Sequence, residues 1–354
     1  MHAERDARER LVLLAGVSLA GTVAVGAWLR LVLAGVPLPL RDFGDLRHLH
    51  THLGYYGALF PLMWAAWSRL GGPSPGPKAL GLYALAVAVS AIGFGLSGYG
   101  PVAIAGSTAV LVGWLVSAWA LQRSGPGGWL RGVPLGVLLG SSMVPWVAMS
   151  ASGTQAQEVA RSFLGMLLLG ALVPSALAVI RARVFPAWGW LLAAGAGALS
   201  LGAVGGPHQV ALAVVGVLLA VSVLTSTATV ELKLSWLGVA LPLAAAGLGL
   251  LPLTKQVAVA GLHFLVLGPL LGSLWPRRLP AILRWVELSL VSLMCLAILL
   301  QDLAWHPYLP TLAAVAGCGV ALIWLIKVGV TGGERAGLPA AADPTEKPPP
   351  KRGF

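Results

Sequence analysis

Residues 79–97 read ALGLYALAVAVSAIGFGLS, and residues 102–121 read VAIAGSTAVLVGWLVSAWAL. Neither run holds a charged side chain. Each is close to the ~20 apolar residues a helix needs to cross ~30 Å of hydrocarbon. The apolar residues run continuously rather than alternating, which excludes the strands of a membrane β-barrel. Ten more stretches of this kind lie outward from the pair, at 11–29, 49–70, 133–149, 163–180, 185–203, 208–229, 234–253, 257–275, 281–300 and 309–326. The expected fold is therefore all-α: a polytopic integral membrane helix bundle of about twelve transmembrane helices.

Composition agrees. The chain has 354 residues, 57% hydrophobic and only 10% charged. A soluble domain carries about 25% charged residues, so soluble globular, disordered and nucleic-acid-binding classes are excluded. Two cysteines are too few for a disulfide framework or a Cys-based zinc or iron–sulfur site. The loops are short and rich in Gly and Pro, as at 71–77, 125–128 and 205–207. Residues 1–330 read as one transmembrane domain. Residues 331–354 are polar, carry Pro348, Pro349 and Pro350, and read as a disordered tail.

The net charge of +11 has a topological meaning here. Twelve spans place both termini on one side. That side collects 18 of the 23 Lys and Arg residues, and the other keeps Arg30, Arg41, Arg47, Arg161 and Lys255. The positive-inside rule then makes both termini cytoplasmic, in a bacterial inner membrane.

This orientation gathers six of the seven histidines at or near the outer side. His48, His50 and His52 open the second span, His208 opens the eighth, and His306 lies in the last outer loop. His263 sits about seven residues inside the tenth span, a depth of roughly 10 Å. His48 and His52 share a helix face, and His50 lies roughly 200° away from both. Ionisable groups within a membrane face the interior or a cavity, and imidazole suits copper, zinc and iron. The residues thus point to a metal or haem site in the outer half. The bland alternative is a set of solvated or hydrogen-bonded helix-end histidines.

The run His50-Thr51-His52-Leu53-Gly54-Tyr55-Tyr56-Gly57-Ala58 resembles the early His-x-His-x4-Gly signature of the NnrS family and its haem–copper oxidase subunit I relatives. The run from His263 to Gly268, continuing to Gly272 and Trp275, is similar to the later His-x4-Gly helix of that group. The resemblance covers about 35 residues. It implies a b-type haem and/or copper cofactor, and a setting in redox or nitric oxide metabolism, with a small gaseous ligand or other respiratory membrane subunits as partners beside the lipid bilayer. Carried onto this chain, His50, His52, His208 and His263 become cofactor ligands, with His48, His52 and His263 as metal ligands. Gly54 and Gly57 share the His50 face and could admit a flat macrocycle. Arg30 and Arg47 could meet haem propionates. The family's Gly-His-Thr-Gly-Arg run after the later helix is absent, where the chain reads Pro276-Arg277-Arg278, and there is no adjacent His-His pair. Terminal oxidase chemistry is therefore not expected.

Other features read more plainly. Glu287 is the one acidic residue within the spans and has Arg284 three residues earlier as its expected partner. Asp42 and Asp45 could orient a histidine. The hydroxyls of Thr225, Ser226 and Thr227 are expected to bond to carbonyls of the preceding turn. Cys295 and Cys318 read as packing residues. Trp28, Trp129, Trp188, Trp275 and Trp305 read as an interfacial belt, and Trp64, Trp67 and Trp114 as core. Gly93, Gly95, Gly98, Gly195 and Gly197 read as close helix packing. Pro145, Pro174, Pro242 and Pro269 could break helices. Two other functions stay open: a metal-free secondary transporter or permease, for which scarce buried charge is unfavourable, and a structural subunit of a respiratory complex.

Overall fold

The computed structural model describes residues 2–37, 42–144, 154–182, 186–202, 209–275, 280–303 and 308–333. All regular structure among them is helical. The helices are α1 (His2–Leu33), α2 (Phe43–His52), α3 (Phe60–Arg69), α4 (Pro77–Ser97), α5 (Pro101–Arg123) and α6 (Val133–Ser142). They continue as α7 (Thr154–Leu167), α8 (Val173–Val179), α9 (Ala187–Gly202), α10 (Gln209–Leu224) and α11 (Val230–Gly247). The last are α12 (Lys255–Leu265), α13 (Leu271–Leu274), α14 (Ala281–Leu303) and α15 (Tyr308–Gly333). Among the described residues, eight helical segments are long and apolar enough to cross a membrane, and 188–201 and 209–224 are shorter apolar helices. A lipid bilayer is the environment such helices suit. Their outward faces agree: Leu82, Leu85, Ile92, Trp119, Leu192 and Val217 are all more than half exposed.

Local chemistry sets the ends. Pro77 and Pro101 open α4 and α5, where a missing N–H costs nothing. Gly98 closes α4 at φ 55°, a conformation that favours glycine. The first helix starts well before the expected residue 11, and its polar turns carry an Arg5–Glu9 ion pair at 3.2 Å. At the other end, α15 runs to Gly333, three residues into the expected tail, and 334–354 lie outside the described residues.

Among the described residues, three helical rods contain a π-helical turn: Leu53–Leu59 joins α2 to α3, Leu168–Leu172 joins α7 to α8, and Val266–Leu270 joins α12 to α13. Each has a proline in it or just past it, at Pro61, Pro174 and Pro269. Proline has no N–H and crowds the carbonyl one turn back. A widened turn relieves that crowding without ending the helix. Freed carbonyls find side-chain donors: Tyr83 Oη donates to Tyr56 O at 2.7 Å, and Trp190 Nε1 to Leu169 O at 2.8 Å. Pro242 lies within a continuous α11, and Pro145 lies outside the described residues.

Small residues set the closest approaches. On α4 and α5, a Cβ at Gly93 would strike the Ala103 backbone, and one at Gly106 the Ser90 backbone. Gly197 also meets a neighbour, Val215, but Gly195 faces open space, so only part of the expected glycine packing is present. Trp28 and Trp188 are exposed as a belt requires. Trp129 and Trp275 are buried instead, and Trp129 Nε1 donates to Ala182 O at 3.1 Å. Trp305 lies outside the described residues. Trp64, Trp67 and Trp114 are buried in the core, as expected.

Candidate functional site

The rod formed by α2, its π turn and α3 carries three histidines near its start. Asp42 caps it, with Oδ1 accepting from the Asp45 amide at 2.9 Å. Asp42 thus serves the helix end, and its charge and that of Asp45 also bear on His48. The 200° step then divides the three imidazoles between two neighbours.

His48 and His52 turn towards α4. The His52 ring stacks on Phe94, with centroids 4.0 Å apart and planes 5° apart. Its Nε2 lies 3.2 Å from Tyr99 Oη. The His48 ring meets Tyr99 edge-on at 4.5 Å and lies 6.3 Å from His52. Arg47 is exposed, and its charge bears on His48 and Tyr99.

His50 turns the other way, onto α1. Its Nδ1–H donates to Thr22 O at 2.8 Å. Gly26 makes room for the ring, since a Cβ there would come within 2.7 Å of His50 Cε1. On α12, His263 Nδ1–H donates to Val259 O at 2.8 Å. The His50 and His263 rings lie 6.0 Å apart, with planes 17° apart. A carbonyl only accepts, so each Nδ1 must carry the proton. Each Nε2 is then a free lone pair, the tautomer in which a metal-ligating histidine is held when its other nitrogen donates to a carbonyl. Arg30 donates to Gln301 Oε1 at 3.2 Å, and its charge bears on His50, His263 and Cys295. Both histidines stand three residues ahead of a π turn, a helical irregularity frequent at functional sites.

The expected ligand set is thus split. His50 joins His263 beside Arg30, while His52 joins His48 beside Arg47. Of the histidines expected to join His263, His50 lies beside it, while His52 lies with His48. His208 and His306 lie outside the described residues. No group of three or more His, Cys, Asp or Glu side chains poised for a metal occurs among the described residues.

The glycines expected to admit a macrocycle serve another purpose. A Cβ at Gly54 would meet Thr22 Cγ2 at 3.3 Å, and one at Gly57 would strike the Ser18 side chain. Both let the rod approach α1. That face is filled by helix, so it offers no cradle for haem beside His50.

The opposite end of the bundle was read too simply from sequence. Glu287 pairs with Lys327, not Arg284. Lys327 Nζ lies 3.0 and 3.2 Å from the two carboxylate oxygens, and both residues are 7% exposed. Lys327 Nζ also sits 3.1 Å from the Trp324 ring centroid. Arg284 pairs instead with Glu231 of α11. These four residues, with Arg69, line a cavity of about 300 Å³. Its sequence signal is faint, because Arg69 and Lys327 stand at the ends of the stretches 49–70 and 309–326 and count there among the 18 cationic side chains of one side. The Thr225 and Ser226 hydroxyls donate to Val221 O and Val223 O of the preceding turn, as expected, but Thr227 Oγ1 donates to Ile180 O of another helix end. Cys295 is buried, but Cys318 is exposed on α15.

Compared with known families and with curated proteins, the chain matches none.

Proposed function

We propose that this chain is an integral membrane protein that binds copper between His50 and His263. The carrying observation is the imidazole pair itself, near parallel at 6.0 Å with both Nδ1–H groups tied to main-chain carbonyls. The protein's part is to fix both rings: Thr22 O and Gly26 hold one against α1, and Val259 O holds the other. Two neutral donors beside the Arg30 guanidinium supply no negative charge. That suits a singly charged ion, Cu(I), better than a divalent one. Bound copper would supply one-electron exchange or capture of a small gaseous ligand, in the redox or nitric oxide setting of the NnrS resemblance. Haem fits less well, because the small-residue face beside His50 is taken by Ser18 and Thr22.

The proposed topology is about twelve spans with both termini cytoplasmic, in a bacterial inner membrane. Its support is the helical segments at the expected apolar stretches and the 18-to-5 division of cationic side chains. Metal analysis and an absorption spectrum of protein made with ample copper and haem test the site. Copper bound by the native chain and by His52→Ala, but not by His50→Ala or His263→Ala, is the expected result. Equal copper in all four proteins, or none in any, would overturn it. A Soret band would restore the haem reading.

A metal-free permease is the second reading. The observation favouring it is the charged cavity at the other end, which the sequence did not disclose.

A further inference from the structure

The cavity at the Arg69 end is remote from the histidines. Arg69 follows His50 by 19 residues on one rod, roughly 28 Å at 1.5 Å per residue. Five ionisable side chains line it: Arg69, Arg284, Lys327, Glu231 and Glu287. The carboxylates are spoken for, Glu287 by Lys327 and Glu231 by Arg284. Arg69 has no carboxylate partner among the described residues. Its guanidinium donates to Leu274 O, at the carbonyl end of α13, and Arg8 of α1 adds to the positive field there. One positive charge is therefore left over in the lining.

The unused hydrogen-bonding groups are mostly donors. Arg69 Nε, Arg284 Nε, Trp275 Nε1 and Ser235 Oγ are buried and without a hydrogen-bond partner, and the one carboxylate oxygen among the unused groups, Glu231 Oε1, lies against the Arg284 guanidinium. Trp275 and Ser235 are each only 4% exposed, and both line the cavity. A buried donor left without an acceptor forfeits its hydration unrepaid, so four beside one cavity call for an acceptor within it. A volume of about 300 Å³ is at the lower end of small-molecule sites.

We propose that this cavity binds a small anion bearing one net negative charge on an oxyanion head, carboxylate or phosphate. Arg69 supplies the free charge. Trp275, Ser235 and the Arg284 Nε–H supply orienting donors. A soluble anion and the head group of an anionic lipid share this chemistry.

The full chain in phosphatidylcholine nanodiscs is titrated with acetate and with inorganic phosphate, against sodium chloride at matched ionic strength. Thermal unfolding and tryptophan fluorescence report binding. A parallel arm replaces part of the lipid with phosphatidylglycerol. A saturable response to a soluble anion identifies a soluble ligand, and a response in the lipid arm alone identifies a head group. Either response is expected to weaken at least tenfold in Arg69→Gln and several-fold in Trp275→Phe. Should Arg69→Gln fail to fold, Trp275→Phe and Ser235→Ala carry the comparison. No response beyond chloride in either arm, or one that these substitutions leave unchanged, overturns the proposal. Copper content plays no part in this readout.

Discussion

Lys327 reaches across from α15 to hold both carboxylate oxygens of Glu287 on α14, at 3.0 and 3.2 Å, with each residue more than nine-tenths buried. The pair ties the last two helices together. Removing one partner of a buried ion pair strands the other, at a cost of about 3–5 kcal/mol. Glu287→Gln is expected to destabilise the protein by that order, read by unfolding in detergent. Adding Lys327→Met removes the stranded charge and should recover most of the loss. A double variant as unstable as the sum of the two singles would show that the pair is not coupled.

Gly106 of α5 rests on the Ser90 backbone of α4, with Ser90 Oγ and Ser107 Oγ 3.1 Å apart beside it. No side chain fits there without parting the helices. Gly106→Val should cost about 1–3 kcal/mol, the usual penalty for overpacking. Gly81 of α4 faces open space, so Gly81→Ala should be neutral or gain up to about 1 kcal/mol of helix propensity. Equal melting temperatures for the two variants would contradict this contact.

The fold class was legible because an apolar run of ~20 residues has few other uses. Helix positions followed from the same signal, but the π turns did not. A proline marks a disturbance, and only the surrounding packing decides whether the helix breaks, kinks or widens. For the histidines, the spacing separated His50 from His48 and His52. Which face meets His263 depends on the rotation of the rod, and that is set by Gly54 and Gly57 lying on α1. Those glycines read equally well as room for a cofactor. The partner of Glu287 was missed for a related reason. Arg284 is near in sequence, whereas Lys327 is 40 residues away and arrives only through the α14–α15 contact.

Side assignment is open to direct labelling. Lys78, Arg123 and Lys255 are exposed, and the charge asymmetry puts the first two inside and the third outside. In a background of Cys295→Ser and Cys318→Ser, a membrane-impermeant maleimide added to intact cells should label Lys255→Cys alone. Lys78→Cys and Arg123→Cys should label only after lysis. The reverse pattern would invert the orientation, and labelling of all three from one side would refute the topology.

Gly26 gives the histidine pair a test that leaves both imidazoles in the chain. Its missing Cβ is the space that the His50 ring occupies, since a methyl there would lie 2.7 Å from Cε1 and 3.0 Å from Nδ1. Gly26→Ala must push the ring off Thr22 O, freeing Nδ1 and shifting the ring out of its place beside His263. The substitution favours helix, so α1 itself should persist. Copper content is therefore expected to fall as it does in His50→Ala, while the melting temperature of metal-free protein changes little. The neighbouring Gly21 meets only Leu53 Cδ2, at 3.0 Å, and Gly21→Ala should keep its copper. Full copper in Gly26→Ala would mean that the seating of His50 on α1 does not build the site.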